Sequence, residues 1–106
     1  MMNEGIIVLT TLPGMDEAKA LARELTSSKL AACVNIMPRM TSVYEWKGES
    51  QEGEEHLLII KTRKERYAQI ERRISDTHPY ELPEIIATPI THGLPGYLNW
   101  IEENTQ

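Results

Sequence analysis

The sequence predicts an α+β fold in which helices stack on one face of an antiparallel sheet, and three observations lead there. Apolar residues alternate between short strand-like runs and helical spacing in the order βαββαβ, with one more helix at the end. A polar stretch, Lys47-Gly48-Glu49-Ser50-Gln51-Glu52-Gly53, separates two long extended segments that read as the arms of a hairpin. The strands are also apolar on both sides, which bears on how many layers must cover the sheet.

Taken in order, Ile6-Ile7-Val8-Leu9 is a short apolar run before Thr10-Thr11-Leu12-Pro13-Gly14, a buried strand ending in a turn. Met15, Ala18, Ala22 and Leu25 recur at spacings of three and four, with Asp16 and Glu17 at the end where a helix dipole favours acids. Ala31 to Ile36 reads as extended chain, breaks at Met37-Pro38 and resumes from Thr41 to Trp46, one long strand with a bend. Glu55 to Thr62 is the returning arm of the hairpin. Thr62 and Glu65 stand three apart as a capping box, predicting a helix that turns Tyr67, Ile70 and Ile74 inward and ends before Pro79. A strand from Glu84 to Ile90 and a helix carrying Tyr97, Trp100 and Ile101 complete the chain. This is the split-βαβ order of the ferredoxin-like sandwich.

The chain has 106 residues, enough for one domain spanning 1–106 and too few for two. Charged residues at 25% and hydrophobic ones at 41% are ordinary globular values, and no apolar run approaches the roughly 20 residues that span a bilayer. The N-terminus carries an acid where a leader would carry basic charge, and a single cysteine, Cys33, excludes an internal disulfide; both lead us to expect a cytoplasmic protein. Net charge is −5, and the eleven basic residues are mostly scattered, the one local run, Lys61-Thr62-Arg63-Lys64-Glu65-Arg66, reading as a solvated helix start, so nucleic acid is not an expected partner.

Along the returning arm, Leu57 and Ile59 fall on one face and Leu58 and Ile60 on the other. Leaving such side chains wet costs about 1.5–3 kcal/mol each, and the chain has few elements left to cover a second face. A homo-oligomer is therefore expected, with Tyr44 and Trp46 on the hairpin arm reaching neighbouring subunits.

No nucleophile elbow, phosphate loop, zinc-helix or paired-cysteine motif occurs, and an enzyme is not expected. Cys33, among Ala, Val and Ile, reads as a small core residue. His56, His78 and His92 show no ligand-pair spacing. The segment Thr77-His78-Pro79-Tyr80-Glu81-Leu82-Pro83-Glu84 stands apart, because two prolines hold a histidine, a tyrosine and two acids close together. It reads as either a stiff connector or a ligand site. Glu55 and Lys61 share a strand face, either as solvated strand ends or with Lys61 reading an anion in a cleft between subunits. Lys47 at the hairpin tip, with Trp46, reads first as an oligomer contact and second as a ligand group.

Leu30-Ala31-Ala32-Cys33-Val34-Asn35-Ile36, Tyr44-Glu45-Trp46-Lys47-Gly48, Glu55 to Thr62, and His78-Pro79-Tyr80-Glu81-Leu82-Pro83-Glu84-Ile85-Ile86 together resemble the CutA family of divalent-cation tolerance proteins. The resemblance implies a ferredoxin-like subunit in a tight homotrimer, similar in architecture to the PII signalling proteins. It also implies a role in tolerance of divalent metals, copper above all, with no established reaction. Some members carry a cysteine near the end of the first strand and a histidine just before the His-Pro-Tyr motif; here these positions are Thr10 and Thr77. The expected metal contact is thus His78 with nearby carboxylates, binding copper or another divalent ion weakly. Two alternatives stand beside it: a PII-like sensor taking a small anionic metabolite in inter-subunit clefts lined by Lys61, Tyr80, Glu81 and Glu84, and a trimeric scaffold.

Overall fold

The computed structural model describes residues 4–106, so Met1–Asn3, on which part of the N-terminal reading falls, lie outside the described residues. The elements are β1 (Gly5–Leu12), α1 (Met15–Ser27), β2 (Cys33–Trp46), β3 (Glu49–Arg63), α2 (Tyr67–Thr77), β4 (Ile85–Pro89) and α3 (Pro95–Glu103), with a 3-10 turn at Lys64–Arg66 leading into α2. The four strands form one antiparallel sheet in the order β2-β3-β1-β4. This is the predicted ferredoxin-like sandwich.

Strand alternation builds the core. Val8 and Ile60 are register partners, as are Ile60 and Val34, so one row of the sheet faces the helices. Leu25 from α1 and Ile70 and Ile74 from α2 close over Val8, Leu58 and Ile60, all fully buried. The opposite face carries Asn35, Ile59, Leu9 and Ile86 in one row. There Leu9, Leu57 and Ile59 are half-buried while Met37 and Ile86 are each 54% exposed. Cover at one end of this face comes from α3: Ile101 is buried, the Lys61 ammonium lies 5.7 Å from the Tyr97 ring centroid, and Arg63 donates to Thr105 Oγ1 at 2.8 Å. Cys33, expected in the core, is half-buried on this second face beside Lys61, because its strand phase matches Asn35 rather than Val34.

The hairpin differs from its predicted form at both ends. Its turn is only Lys47-Gly48, both with positive φ (54° and 83°), as a tight turn matched to right-handed strand twist requires. The polar residues from Glu49 to Gly53 continue β3 instead, paired with Trp46 to Ser42, because a projecting ribbon can leave both faces of such residues in water. At the predicted bend the register slips between Met37 and Met40, and Arg39 takes φ 56°, its N–H donating to His56 Nδ1 at 3.3 Å.

The capping box does not form. Thr62 lies on the core side of β3, fully buried, and its hydroxyl donates to the Leu30 carbonyl just past α1 at 2.6 Å. Glu65 pairs with Arg63 at 3.4 Å. Thr62→Val should therefore destabilise the fold by about 1–3 kcal/mol through the orphaned carbonyl, while Glu65→Ala costs less than about 0.5 kcal/mol, measured by chemical denaturation. Equal losses would restore the cap.

Candidate functional site

Pro79 cannot continue α2 and pushes the residue before it into extended backbone, and His78 has φ −72° and ψ 137°. The chain turns there toward the end of β1. His78 Nε2 lies 2.6 Å from the Thr11 carbonyl and the Tyr80 N–H points at Nδ1 at 3.1 Å. A neutral imidazole protonated at Nε2 satisfies both bonds, donating to Thr11 and accepting from Tyr80. The His78 and Tyr80 rings are 4.8 Å apart.

Tyr80 in turn reaches Glu55. The Glu55 carboxylate, 8% exposed, accepts from Ser42 Oγ at 2.6 Å, Tyr80 Oη at 2.8 Å and Thr11 Oγ1 at 3.3 Å. Three hydroxyls from β2, the α2–β4 connector and β1 therefore converge on one acid of β3. Burial, followed by the hydrogen bond to Glu55 and that residue's charge, pushes the Tyr80 phenol well above its ordinary value, so it remains a donor throughout the neutral range.

These groups form the floor of a cleft of about 670 Å³ between the hairpin arm and the connector. Tyr44, Trp46 and Tyr80 line it with rings, and Glu55, Glu81 and Glu84 with carboxylates. Among the described residues no Lys or Arg lines it; Lys47 stands at its rim, 3.9 Å from Glu81. Of the residues singled out from sequence, Tyr80, Glu81, Glu84, Tyr44 and Trp46 meet here. Lys61 does not: it belongs to the second sheet face under Tyr97, and without it the cleft's charge is opposite to what a small anion needs. His78 lines a smaller hollow behind the cleft, with Thr77 and Glu17.

Thr10 is fully buried on the core side with no hydrogen-bond partner for its hydroxyl, and Thr77 Oγ1 donates back to the Arg73 carbonyl at 3.0 Å. Among the described residues no three His, Cys, Asp or Glu side chains gather as a metal shell. The residues of one chain thus do not fit a resident metal centre. Sequence reasoning left Glu55 as one of two strand ends and overlooked Thr11 and Ser42. The available signal was a charged residue in phase with Leu57 and Ile59, which must find partners if that stripe is shielded from water.

Fold and cleft define a ferredoxin-like α+β chain whose polar groups converge on a buried acid beneath an acidic, aromatic cleft. A family model described as CutA1 divalent ion tolerance protein matches residues 6–104, and the chain belongs to that family. It is 44% identical over 99 residues to the divalent-cation tolerance protein CutA of Thermus thermophilus, covering 93% of this chain and 96% of that one. It is 45% identical over 101 residues to the chloroplastic protein CutA of Arabidopsis thaliana, covering 95% of this chain and 56% of that longer one. The crystal structure of CutA1 from Oryza sativa superimposes with a TM-score of 0.95 at 42% identity, covering 98% of this chain and 95% of that one. No helix among the described residues is long and apolar enough to cross a membrane.

The raised Tyr80 phenol makes folding pH-dependent. Its folded-state value lies above the unfolded one of about 10, so its contribution is fully present below pH 10 and is lost as pH rises through the folded value. A melting curve measured from pH 8 upward should fall steeply above about pH 10, and Tyr80→Phe should flatten that fall. An identical alkaline slope in the variant would remove Tyr80 as its source.

Proposed function

We propose that this chain is the single-domain subunit of a cytoplasmic homotrimer that serves tolerance of divalent cations, copper among them, by binding rather than by catalysis. The family description and the name of the Thermus thermophilus relative supply the process. The observation that carries the reading is the charge of the cleft: three carboxylates line it, Glu55 is buried and accepts three hydroxyl bonds, and no basic side chain among the described residues neutralises it from within. Such a surface attracts cations and repels anionic metabolites.

The metal is cargo, drawn in by the acidic cleft, and its contact is His78, which lines the neighbouring hollow with Glu17 and not the cleft itself. One imidazole per subunit, with both nitrogens already engaged, makes a weak site, because coordination at Nδ1 displaces the Tyr80 N–H. Calorimetric titration of the protein with Cu(II) should give weak binding that drops by about tenfold in His78→Ala. Equal affinity and stoichiometry in the two proteins would sink His78 as the contact.

Assembly is supported by the open second face, where Leu9, Leu57 and Ile59 are only half-buried and Met37 and Ile86 lie open. Light scattering should give three times the chain mass for the wild type and the chain mass for Ile59→Asp, whose carboxylate would stand in the centre of that face. A wild-type monomer, or an unchanged mass in the variant, would refute assembly through this surface.

A further inference from the structure

We propose that His78 is a latch between two sides of the molecule: an ion taken up at its imidazole on the helix side releases the 79–84 connector on the sheet side. This rests on the reading of His78 as the ion's contact and adds what the ion does once bound. The segment released borders the sheet face given above to assembly.

The end of β1 separates the two sides. Successive strand residues point to opposite faces, and here Leu12 lines the hollow between α1 and α2 while Thr11 lines the cleft under the hairpin arm. His78 and Tyr80 divide in the same way, and hollow and cleft share no lining residue. The hollow measures about 220 Å³, several times the roughly 30 Å³ that a water occupies in the liquid. Of its two acids, Glu24 is held by Arg73 at 2.7 Å, whereas Glu17 forms no ion pair among the described residues. A hydrated cation can therefore reach His78 there without entering the cleft.

The latch follows from the hydrogens of the imidazole. The Tyr80 N–H can only donate, so Nδ1, at 3.1 Å, holds the free lone pair of the ring, and Nε2 carries the hydrogen that bonds the Thr11 carbonyl at 2.6 Å. An ion at Nδ1 replaces the Tyr80 N–H. An ion at Nε2 moves the hydrogen to Nδ1, where it meets that same N–H, and breaks the Thr11 bond as well. Either route frees the backbone of Tyr80, whose hydroxyl lies 2.8 Å from the buried Glu55 carboxylate. Ser42 on β2 bonds the same carboxylate at 2.6 Å, so loosening passes from the connector to the hairpin arm. Linkage makes the effect reciprocal: whatever weakens the hold of Tyr80 on Glu55 strengthens the hold of the ion on His78.

The test is calorimetric titration of the full chain with Cu(II), paired with hydrogen–deuterium exchange read by mass spectrometry. Tyr80→Phe keeps the backbone N–H and loses the bond to Glu55, and it should bind Cu(II) about fivefold more tightly than the wild type, the scale of one hydrogen bond. The gain should vanish when His78→Ala is added, which separates it from copper taken up elsewhere. In the wild type the 79–84 amides should exchange faster with Cu(II) than without it, and in His78→Ala the ion should leave their exchange unchanged. Affinity that is unchanged or weaker in Tyr80→Phe, or connector exchange that ignores copper, while His78→Ala still weakens binding, would overturn the latch alone. Equal copper affinity in the wild type and His78→Ala would overturn the metal contact and the latch with it.

Discussion

A carboxylate removed from water in a protein of this size has to be surrounded by donors, and the Glu55 site is organised by that requirement. Its three partners come from three different parts of the chain: Thr11 at the end of β1, Ser42 on β2 beyond the bulge, and Tyr80 on the connector after α2. Removing any one leaves the buried acid short of a donor, a loss larger than that of a single exposed bond. The bulge at Met37/Met40, the extension of β1 to Leu12 and the stop at Pro79 all bear on this one site. Together they bring Ser42, Thr11 and Tyr80 within 3.3 Å of one carboxylate.

His78 closes the arrangement from behind. By donating to the Thr11 carbonyl and accepting from the Tyr80 N–H, it ties β1 to the connector through main-chain atoms, while Thr11 and Tyr80 meet again at Glu55 through their side chains. The connector is thus fixed twice. That double anchoring holds the segment that carries Glu81 and Glu84 to the cleft, where Glu81 makes an exposed ion pair with Lys47.

Much of the fold was legible because its signals are periodic. The apolar runs of the strands and the spacing of three and four in α1 and α2 mark which elements meet the core, and Ile70, Ile74 and Leu25 are buried accordingly. Two misreadings came from competition that periodicity does not encode. Thr62 looked like a helix cap, accepting from an N–H of the next turn, but its strand phase turned it into the core, where its hydroxyl donates to the Leu30 carbonyl. The polar run after Gly48 looked like a loop, but backbone pairing across a tight turn made strand of it despite its composition. The cleft was half legible: the prolines marked Tyr80, Glu81 and Glu84, while Lys61, expected in a cleft between subunits, lies within one chain at the other end of β3 near Tyr97.

The histidine that invites a metal is also the one the connector depends on. An imidazole has two nitrogens, and in His78 both already serve main-chain atoms, so any ion that takes one competes with the bond that positions Tyr80 over Glu55. Metal affinity and cleft order therefore draw on the same lone pair and oppose each other. Among the described residues no three His, Cys, Asp or Glu side chains gather there to compensate. An ion bound at His78 would therefore loosen the connector as it binds, which couples occupancy of the imidazole to the order of the Tyr80–Glu55 contact.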